Sequence, residues 1–336
     1  MNTSMKISKN TVIIGGGAWG AAIAHQLRLG AAQIGAAQNS TLLVRASSTV
    51  HALEKGHIRQ HPEIKGLSGF NATTDLTCLK EAEIVYLVVP VAAHAEMLER
   101  IKSGTKQNCA IVLCAKGLMP DTEKGGIFLH EYAAKHLGQR PLALFTGPSF
   151  ADEVLKGLPT ALLAASLQTD LSACLAAQFE NSQLRVYQGS DVIGAALGGT
   201  VKNVIAIAAG ICAGQQLGDN ARAGLITRGL AETMRLADKL GAQRATMSGL
   251  AGIGDLILSC SNSHSRNMAF GMALGSGVTI PEKLAEGRHS AAYLCARARF
   301  EGIEMPVCEA VDKIVNHKAN IKTTIAKLLS RQAGSE

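Results

Sequence analysis

The sequence predicts an α/β fold in two parts: a mostly parallel sheet with helices over residues 1–190, then an all-α domain over residues 191–336. Three observations carry that expectation. Short apolar, often β-branched runs bounded by turn signals recur through the first part, and helical stretches separate several of them. After about residue 190 the strand-like runs stop and long patterns of helical period take over. At 336 residues the chain is long enough to bury two sizeable cores.

The elements follow in order. Residues 11–15, TVIIG, read as a short buried strand, and GGGAWGAAIAHQLRLG follows as a glycine-rich turn running into a helix. TLLVR (41–45), EIVYLVVP (83–90), CAIVLCAKG (109–117) and PLALFTGP (141–148) read as further strands, with LPTALLAAS (158–166) and QLRVYQG (183–189) closing the sheet. The apolar run from Val192 to Gly214 is long enough to span a bilayer, yet Lys202 and Asn203 sit near its centre. Inserting that lysine would cost roughly 2.5–3.5 kcal/mol, so a soluble core helix is the better reading. In the next helix Ile226, Leu230, Met234, Ala237 and Leu240 line one face, while Glu232, Arg235, Asp238 and Lys239 fall mostly elsewhere. Gly241 is placed to stop that helix.

Composition excludes more than it selects. Aromatic residues make up only 4% of the chain and give no stacking platform for nucleic acid. The net charge of +7 is spread among acidic residues rather than clustered, and its sign suits a small anionic substrate. The eight cysteines form no C-x-x-C pair and mostly lie in apolar runs, which points to buried thiols, a reducing compartment and no structural metal site. The N-terminal MNTSMKISKN lacks the apolar core of a signal peptide, so a cytoplasmic location without membrane insertion is expected.

Gly15-Gly16-Gly17-Ala18-Trp19-Gly20 contains G-x-G-x-x-G directly after a strand and opening a helix. Gly15 permits the tight turn, Gly17 lets a pyrophosphate approach the backbone, and Gly20 allows close helix–strand packing. The first domain is thus expected to be a Rossmann-type dinucleotide-binding domain. Where an acidic residue would meet the ribose of NAD stands Arg45, followed by Ala46, Ser47 and Ser48. That set suits a 2′-phosphate and favours NADP over NAD.

Other polar residues stand where local apolarity does not predict them. Lys116-Gly117 ends one strand and Gly147-Pro148-Ser149-Phe150-Ala151 follows the next, at the carboxyl edge where parallel sheets bind ligands. Asp255 interrupts the apolar run GLAGIGDLILSC, and Arg266-Asn267 lies beyond it. Each alone has an ordinary reading: Lys116 a strand-end charge, Asp255 a helix cap after Gly254, Arg266 a surface residue, Lys202 a snorkelling side chain. Together with Lys202 and Asn203 they supply two ammoniums, a carboxylate, an amide and a guanidinium. Such a set can hold a small phosphorylated carbonyl compound beside a nicotinamide.

GGGAWGAAIA, LLVR, LVVP, AKG, TGPSFADEV with GLPTAL, LGGTVKNVIAIAAGI, GLAGIGDLILSC, SRN and LAEGR occur in that order from residue 12 to about residue 288. In these segments the chain resembles the bacterial-type NAD(P)-dependent glycerol-3-phosphate dehydrogenases. The resemblance implies that Lys202 is the proton acceptor and donor at the C2 oxygen. It implies substrate contacts at Lys116, Gly147, Ser149, Asp255, Ser265, Arg266 and Asn267. Cofactor contacts would fall at Trp19, Arg45, Lys116, Ala151, Arg266, Leu284 and Glu286.

The physical chemistry agrees. Desolvation by surrounding Ala, Val and Ile tunes an ammonium toward general-base work, Asp255 can orient it, and Asn203 can hydrogen-bond a substrate hydroxyl. Arg266 is the natural phosphate fork. The reaction implied is reduction of dihydroxyacetone phosphate to sn-glycerol 3-phosphate, with the product feeding glycerophospholipid synthesis. Departures from the family occur at Val91, His94 and Ser259, in the stretch after Glu286-Gly287, and in the long loop AAQIGAAQNS. Two rivals remain open at this level: a β-hydroxyacid dehydrogenase of similar architecture, and a non-catalytic NADP-binding sensor. The Ala- and Gly-rich helices are compatible with a homodimer.

Overall fold

A computed structural model describes residues 10–33, 40–261, 263–278 and 286–330. The strands are β1 (Thr11–Ile14), β2 (Ser40–Leu43), β3 (Ala72–Thr73), β4 (Ile84–Leu87), β5 (Ala110–Leu113), β6 (Leu118–Met119), β7 (Ile127–Phe128), β8 (Leu142–Thr146), β9 (Thr160–Ala165) and β10 (Leu184–Gly189). Eight of them form one sheet in the order β10-β9-β8-β5-β4-β1-β2-β3, and β6 pairs with β7 separately. Every neighbouring pair in the large sheet is parallel except β8 with β9. The expected mostly parallel sheet is present; each of its seven expected strands occurs, most of them trimmed at the ends and β2 starting one residue early at Ser40, and the unexpected β3 adds an eighth at the edge. The run 109–117 contributes only Ala110–Leu113 to the ladder, which leaves Lys116 in the loop beyond the carboxyl end of β5.

The chain divides into two compact units, residues 1–116 with 129–195 and residues 117–128 with 196–336. In the first unit β1, β4 and β5 are buried at every position, because helices cover both faces of a parallel sheet and leave no solvent side to alternate with. Those helices are α1 (Ala18–Gln33), α2 (Ser47–Glu54), α3 (His94–Gly104), α4 (Leu129–Leu137), α5 (Ala151–Leu155) and α6 (Thr169–Ala177). Tyr86 anchors the core, edge-on to Phe145 and Phe179, and its hydroxyl donates to Gln178 Oε1 at 2.8 Å, so no polar atom of the ring is stranded. Helix α1 runs on through Gly30. A side chain there would lie 2.9 Å from Glu180 O, so the glycine serves close packing inside the helix.

The second unit is helical: α7 (Val192–Gly214, entering this unit at Ala196), α8 (Asp219–Leu240), α9 (Arg244–Met247), a π-helical turn at Leu250–Gly254, α10 (Asp255–Ser261), α11 (Arg266–Gly275), α12 (Glu286–Phe300), α13 (Pro306–Val315) and α14 (Ile321–Leu329). Among the described residues α7 alone is long and apolar enough to cross a membrane, and 83% of its most apolar window is buried in the protein, as for a core helix. It meets α11 through glycines. Side chains at Gly210 and Gly271 would each fall 2.2 Å from a carbonyl oxygen of the other helix, Met268 O and Ile207 O respectively. This close approach is what brings the start of α11 beside the middle of α7.

Helix α8 ends at Gly241, in the left-handed conformation at φ 79°, as its position in the sequence predicts. Its buried stripe differs from the expected one. Ile226, Leu230, Met234 and Leu240 are only half-buried, whereas Glu232, expected off the apolar face, is 3% exposed. The reason is α13: Glu232 Oε1 accepts from Val307 N at 2.8 Å and Oε2 from Cys308 N at 3.4 Å, capping a helix from outside it. Residues 117–128 join this unit through α12. Arg297 lies over the Phe128 ring at 5.3 Å and its Nη1 donates to Gly126 O at 3.3 Å. All eight cysteines are free thiols; burial pushes Cys109 up to about 11 and Cys260 and Cys295 up to about 12, which makes them unreactive near neutral pH.

Candidate active site

In the first unit the three fingerprint glycines have three different surroundings. Gly15 takes φ +133°, and a side chain there would sit 2.2 Å from Val88 O in the loop after β4. At Gly20 it would sit 2.0 Å from Gly15 O, closing off the approach of α1 to the turn. Gly17 has nothing within 4 Å of where a Cβ would stand. The turn is thus sealed by protein at its first and third glycines and open at the second, directly before Ala18 and the half-buried Trp19 in the first turn of α1. The first N–H groups of a helix have no partner inside it, so an open cradle there fits the pyrophosphate of a dinucleotide.

Arg45 is exposed just beyond β2, and its guanidinium has no ion-pair partner among the described residues. Helix α2 begins two residues later, at Ser47, and its N-cap Ala46 supplies no side-chain cap. Beyond β5, Lys116 Nζ donates to Gly147 O at 3.4 Å. Gly147, at φ +137°, turns the chain after β8, Ser149 Oγ donates to the same carbonyl at 3.3 Å, and Ala151 opens α5. Lys116, Gly147 and Ser149 are therefore gathered at neighbouring strand ends.

The departures on this edge are structural in character. Val91 lies in a short 3₁₀ turn, and the fully buried His94 donates from Nδ1 to Pro90 O at 3.1 Å. Burial pushes its pKa down, and its sealed Nε2 has no partner, so the ring is neutral and adds no cation here.

In the second unit Lys202 does not snorkel. Its Nζ donates to Asp255 Oδ1 at 2.5 Å, with the lysine side chain 12% exposed and the aspartate 0%. Two local features make the pair possible. Gly198, one turn before Lys202, lets α7 touch the π-helical turn, since a Cβ there would fall 2.3 Å from Ala251 O. That turn then delivers Asp255 as the first residue of α10. Asp255 thus stands at a helix start, as the cap reading expects, but this oxygen is spent on the ammonium. Insertions of a π turn into a helical path recur at functional sites.

Asn203 is buried beside the pair, and its Oδ1 accepts from Asn267 Nδ2 at 3.0 Å. Asn267 is the second residue of α11. Its Oδ1 accepts from Gly287 N, in the first turn of α12, at 3.1 Å. Ser265 caps α11, its hydroxyl accepting from Met268 N at 3.4 Å. Arg266 opens the same helix, exposed and with no ion pair among the described residues. Ser259 is buried within α10, Glu286 opens α12, and Leu284 lies outside the described residues.

The helical unit thus brings Lys202, Asp255, Asn203, Ser265, Arg266 and Asn267 to neighbouring positions on α7, α10 and α11. The sheet unit holds Gly15, Gly17, Ala18, Trp19, Gly20, Arg45, Lys116, Gly147, Ser149 and Ala151 at strand ends and helix starts. Gly198 and Gly287 were not singled out in the sequence, and an unexplained glycine inside an apolar helical run was the available signal for the first.

Comparison with known proteins gives a single answer. Residues 10–172 match the family described as NAD-dependent glycerol-3-phosphate dehydrogenase N-terminus, and residues 191–326 match its C-terminus. The chain is 40% identical to glycerol-3-phosphate dehydrogenase [NAD(P)+] of Parvibaculum lavamentivorans, covering 98% of both proteins. It is also 40% identical to the protein of that name from Rhodospirillum rubrum, covering 98% of this chain and 96% of the relative. Among solved structures, glycerol-3-phosphate dehydrogenase from Coxiella burnetii superposes with a TM-score of 0.84 at 37% identity, covering 97% of this chain and 100% of that one. A ketopantoate reductase from Ralstonia eutropha, at 15% identity and a TM-score of 0.60, shares the fold alone. With both halves matched in sequence and relatives aligned end to end, the chain belongs to the NAD-dependent glycerol-3-phosphate dehydrogenase family.

Proposed function

We propose that the chain reduces dihydroxyacetone phosphate to sn-glycerol 3-phosphate, and runs the reverse oxidation, with Lys202 as general acid and base. As a member of its family the chain is an NAD(P)-dependent oxidoreductase acting on the CH–OH group of glycerol 3-phosphate. The sheet unit is the dinucleotide-binding domain in this reading and the helical unit carries the proton chemistry. The observation that carries the mechanism is the buried Lys202–Asp255 pair.

A dihydronicotinamide, when bound, would supply the hydride for C2. Lys202 Nζ gives its proton to the C2 oxygen as negative charge develops there, and takes it back in the oxidation. Asp255, shut away from water, fixes the direction of the ammonium before transfer. Arg266, with the N–H groups at the start of α11, takes the phosphate, and Asn203, Asn267 and Lys116 complete the substrate contacts. Gly15, Gly17, Ala18, Trp19 and Gly20 hold the pyrophosphate side of the cofactor, with Ala151, Leu284 and Glu286 as further contacts. Arg45 with Ser47 and Ser48 supports NADP over NAD. We place the protein in the cytoplasm, as a homodimer supplying glycerophospholipid synthesis.

The test is turnover of NADPH and NADH with dihydroxyacetone phosphate, followed by loss of dihydronicotinamide absorbance, in wild type and Lys202→Ala. The expected result is robust wild-type turnover that falls by about 10²–10⁴-fold in a variant that still binds dinucleotide. A folded, cofactor-binding wild type that is inert with dihydroxyacetone phosphate overturns the substrate. Turnover surviving in Lys202→Ala overturns the mechanism.

A further inference from the structure

An amide side chain can turn either its oxygen or its nitrogen toward a partner, but a backbone N–H can only donate. Gly287 N is one of the first-turn groups of α12 that have no acceptor inside the helix, and it donates to Asn267 Oδ1 at 3.1 Å. Asn267 must then present Nδ2 on its other side, where it donates to Asn203 Oδ1 at 3.0 Å. That bond fixes Asn203 Oδ1 toward Asn267 and turns its Nδ2 the other way, and that nitrogen donates to no described residue. Asn203 directly follows Lys202 on α7.

The geometry leaves no room for another residue at the head of this chain of bonds. A Cβ on Gly287 would lie 2.8 Å from Asn203 O, 2.8 Å from Asn267 Oδ1 and 2.9 Å from Ile207 Cδ1. Glycine at 287 is what lets the N–H of α12 reach Asn267.

We infer that Gly287 is a positioning residue: its N–H polarises two amides in one direction, so that Asn203 offers the substrate a donor and not an acceptor. This rests on the substrate being held beside Lys202, as proposed above. The atom it selects is an acceptor oxygen, on the phosphate or at the C2 carbonyl, and a hydroxyl meets Asn203 Nδ2 only by accepting. The direction is set by a backbone group, so it does not relax when the substrate leaves. A freely turning amide would have to be ordered at each binding event.

The experiment is a double-mutant cycle on the full chain, Gly287→Ala and Asn203→Ala, reading KM for dihydroxyacetone phosphate beside dinucleotide affinity. Gly287→Ala is expected to raise that KM about tenfold, the effect of leaving one buried hydrogen bond unmade, with dinucleotide affinity unchanged. In the Asn203→Ala background the same change is expected to add less than about threefold, because its route runs through Asn203. A full second increment, or an unchanged KM in the single variant, overturns the inference.

Wild-type protein gives a reading that depends on neither variant folding. The side-chain amide protons of Asn203, followed by NMR, are expected to shift on adding dihydroxyacetone phosphate or inorganic phosphate, and no shift with either overturns the inference. Shifted protons in a protein that does not turn over dihydroxyacetone phosphate would sink the substrate reading and keep the positioning role.

Discussion

The sheet unit and the helical unit build their parts of the site from different material. In the sheet unit the working groups are mostly backbone: a turn sealed at Gly15 and Gly20 and open at Gly17, followed by the first-turn N–H groups of α1, which have no acceptor inside the helix. In the helical unit they are side chains carried in from separate helices, Lys202 on α7, Asp255 on α10 and Asn267 on α11, each committed to another. The first kind of site is a local property of a dozen residues and can fail without disturbing the fold. The second is part of the core, so function and stability should fail together.

The strongest way to break that comparison is at the buried pair. Lys202→Met leaves the fully buried Asp255 without its ammonium, and removing one partner of a buried ion pair costs about 3–5 kcal/mol. The urea midpoint of the helical unit should fall accordingly, along with activity. Lys202→Met combined with Asp255→Leu replaces the pair by apolar contacts and should recover most of the stability while remaining inactive. A single variant as stable as wild type would mean the pair is solvated in solution, and that the two units do not differ in this respect.

A second test uses a side chain in the helical unit that plays no part in the proposed chemistry. Burial pushes Glu232 up to about 7, against the Val307 and Cys308 N–H donors and Arg235, with Glu309 adding to the rise. The folded state therefore holds this proton more tightly than the unfolded chain, whose carboxyl titrates near 4.5. The stabilisation is fully present below about pH 4.5 and is lost as pH climbs to about 7. Over that window wild type should lose about 3 kcal/mol relative to Glu232→Gln, from a displacement of about 2.5 pH units. Parallel stability–pH curves for the two proteins would show that Glu232 titrates normally.

These residues also mark how far the sequence could be read. The strands and the glycine fingerprint were legible because each is a contiguous run whose neighbours in space are its neighbours in the chain. Lys202 and Asp255 were visible as charges in apolar runs, but their partnership spans 53 positions and depends on the contact of Gly198 with the π-helical turn. Glu232 was misplaced because periodicity assigns a face to an acid without knowing that a helix start, 75 positions on, will need it. The short β3, β6 and β7 were missed for a plainer reason: two residues carry no period.

The smallest expected effect sharpens the comparison from the other side. At Gly17 a methyl group meets no atom within 4 Å, whereas at Gly20 it would collide with Gly15 O at 2.0 Å. Gly17→Ala should therefore leave the unfolding free energy read from urea titration within about 0.5 kcal/mol of wild type, as for a substitution that removes no contact. The added methyl occupies the space where a pyrophosphate must approach the backbone, so dinucleotide affinity should fall about tenfold, equivalent to about 1.4 kcal/mol. Equilibrium binding followed by protein fluorescence, with Trp19 as the sole tryptophan and two residues from the substitution, reads both states in one sample. Unchanged affinity would mean that Gly17 faces solvent and not the cofactor, and the open cradle would lose its meaning. Lost affinity with lost stability would mean that the turn, too, belongs to the core. Only lost affinity with intact stability leaves the backbone site separable from its fold, and the side-chain site not.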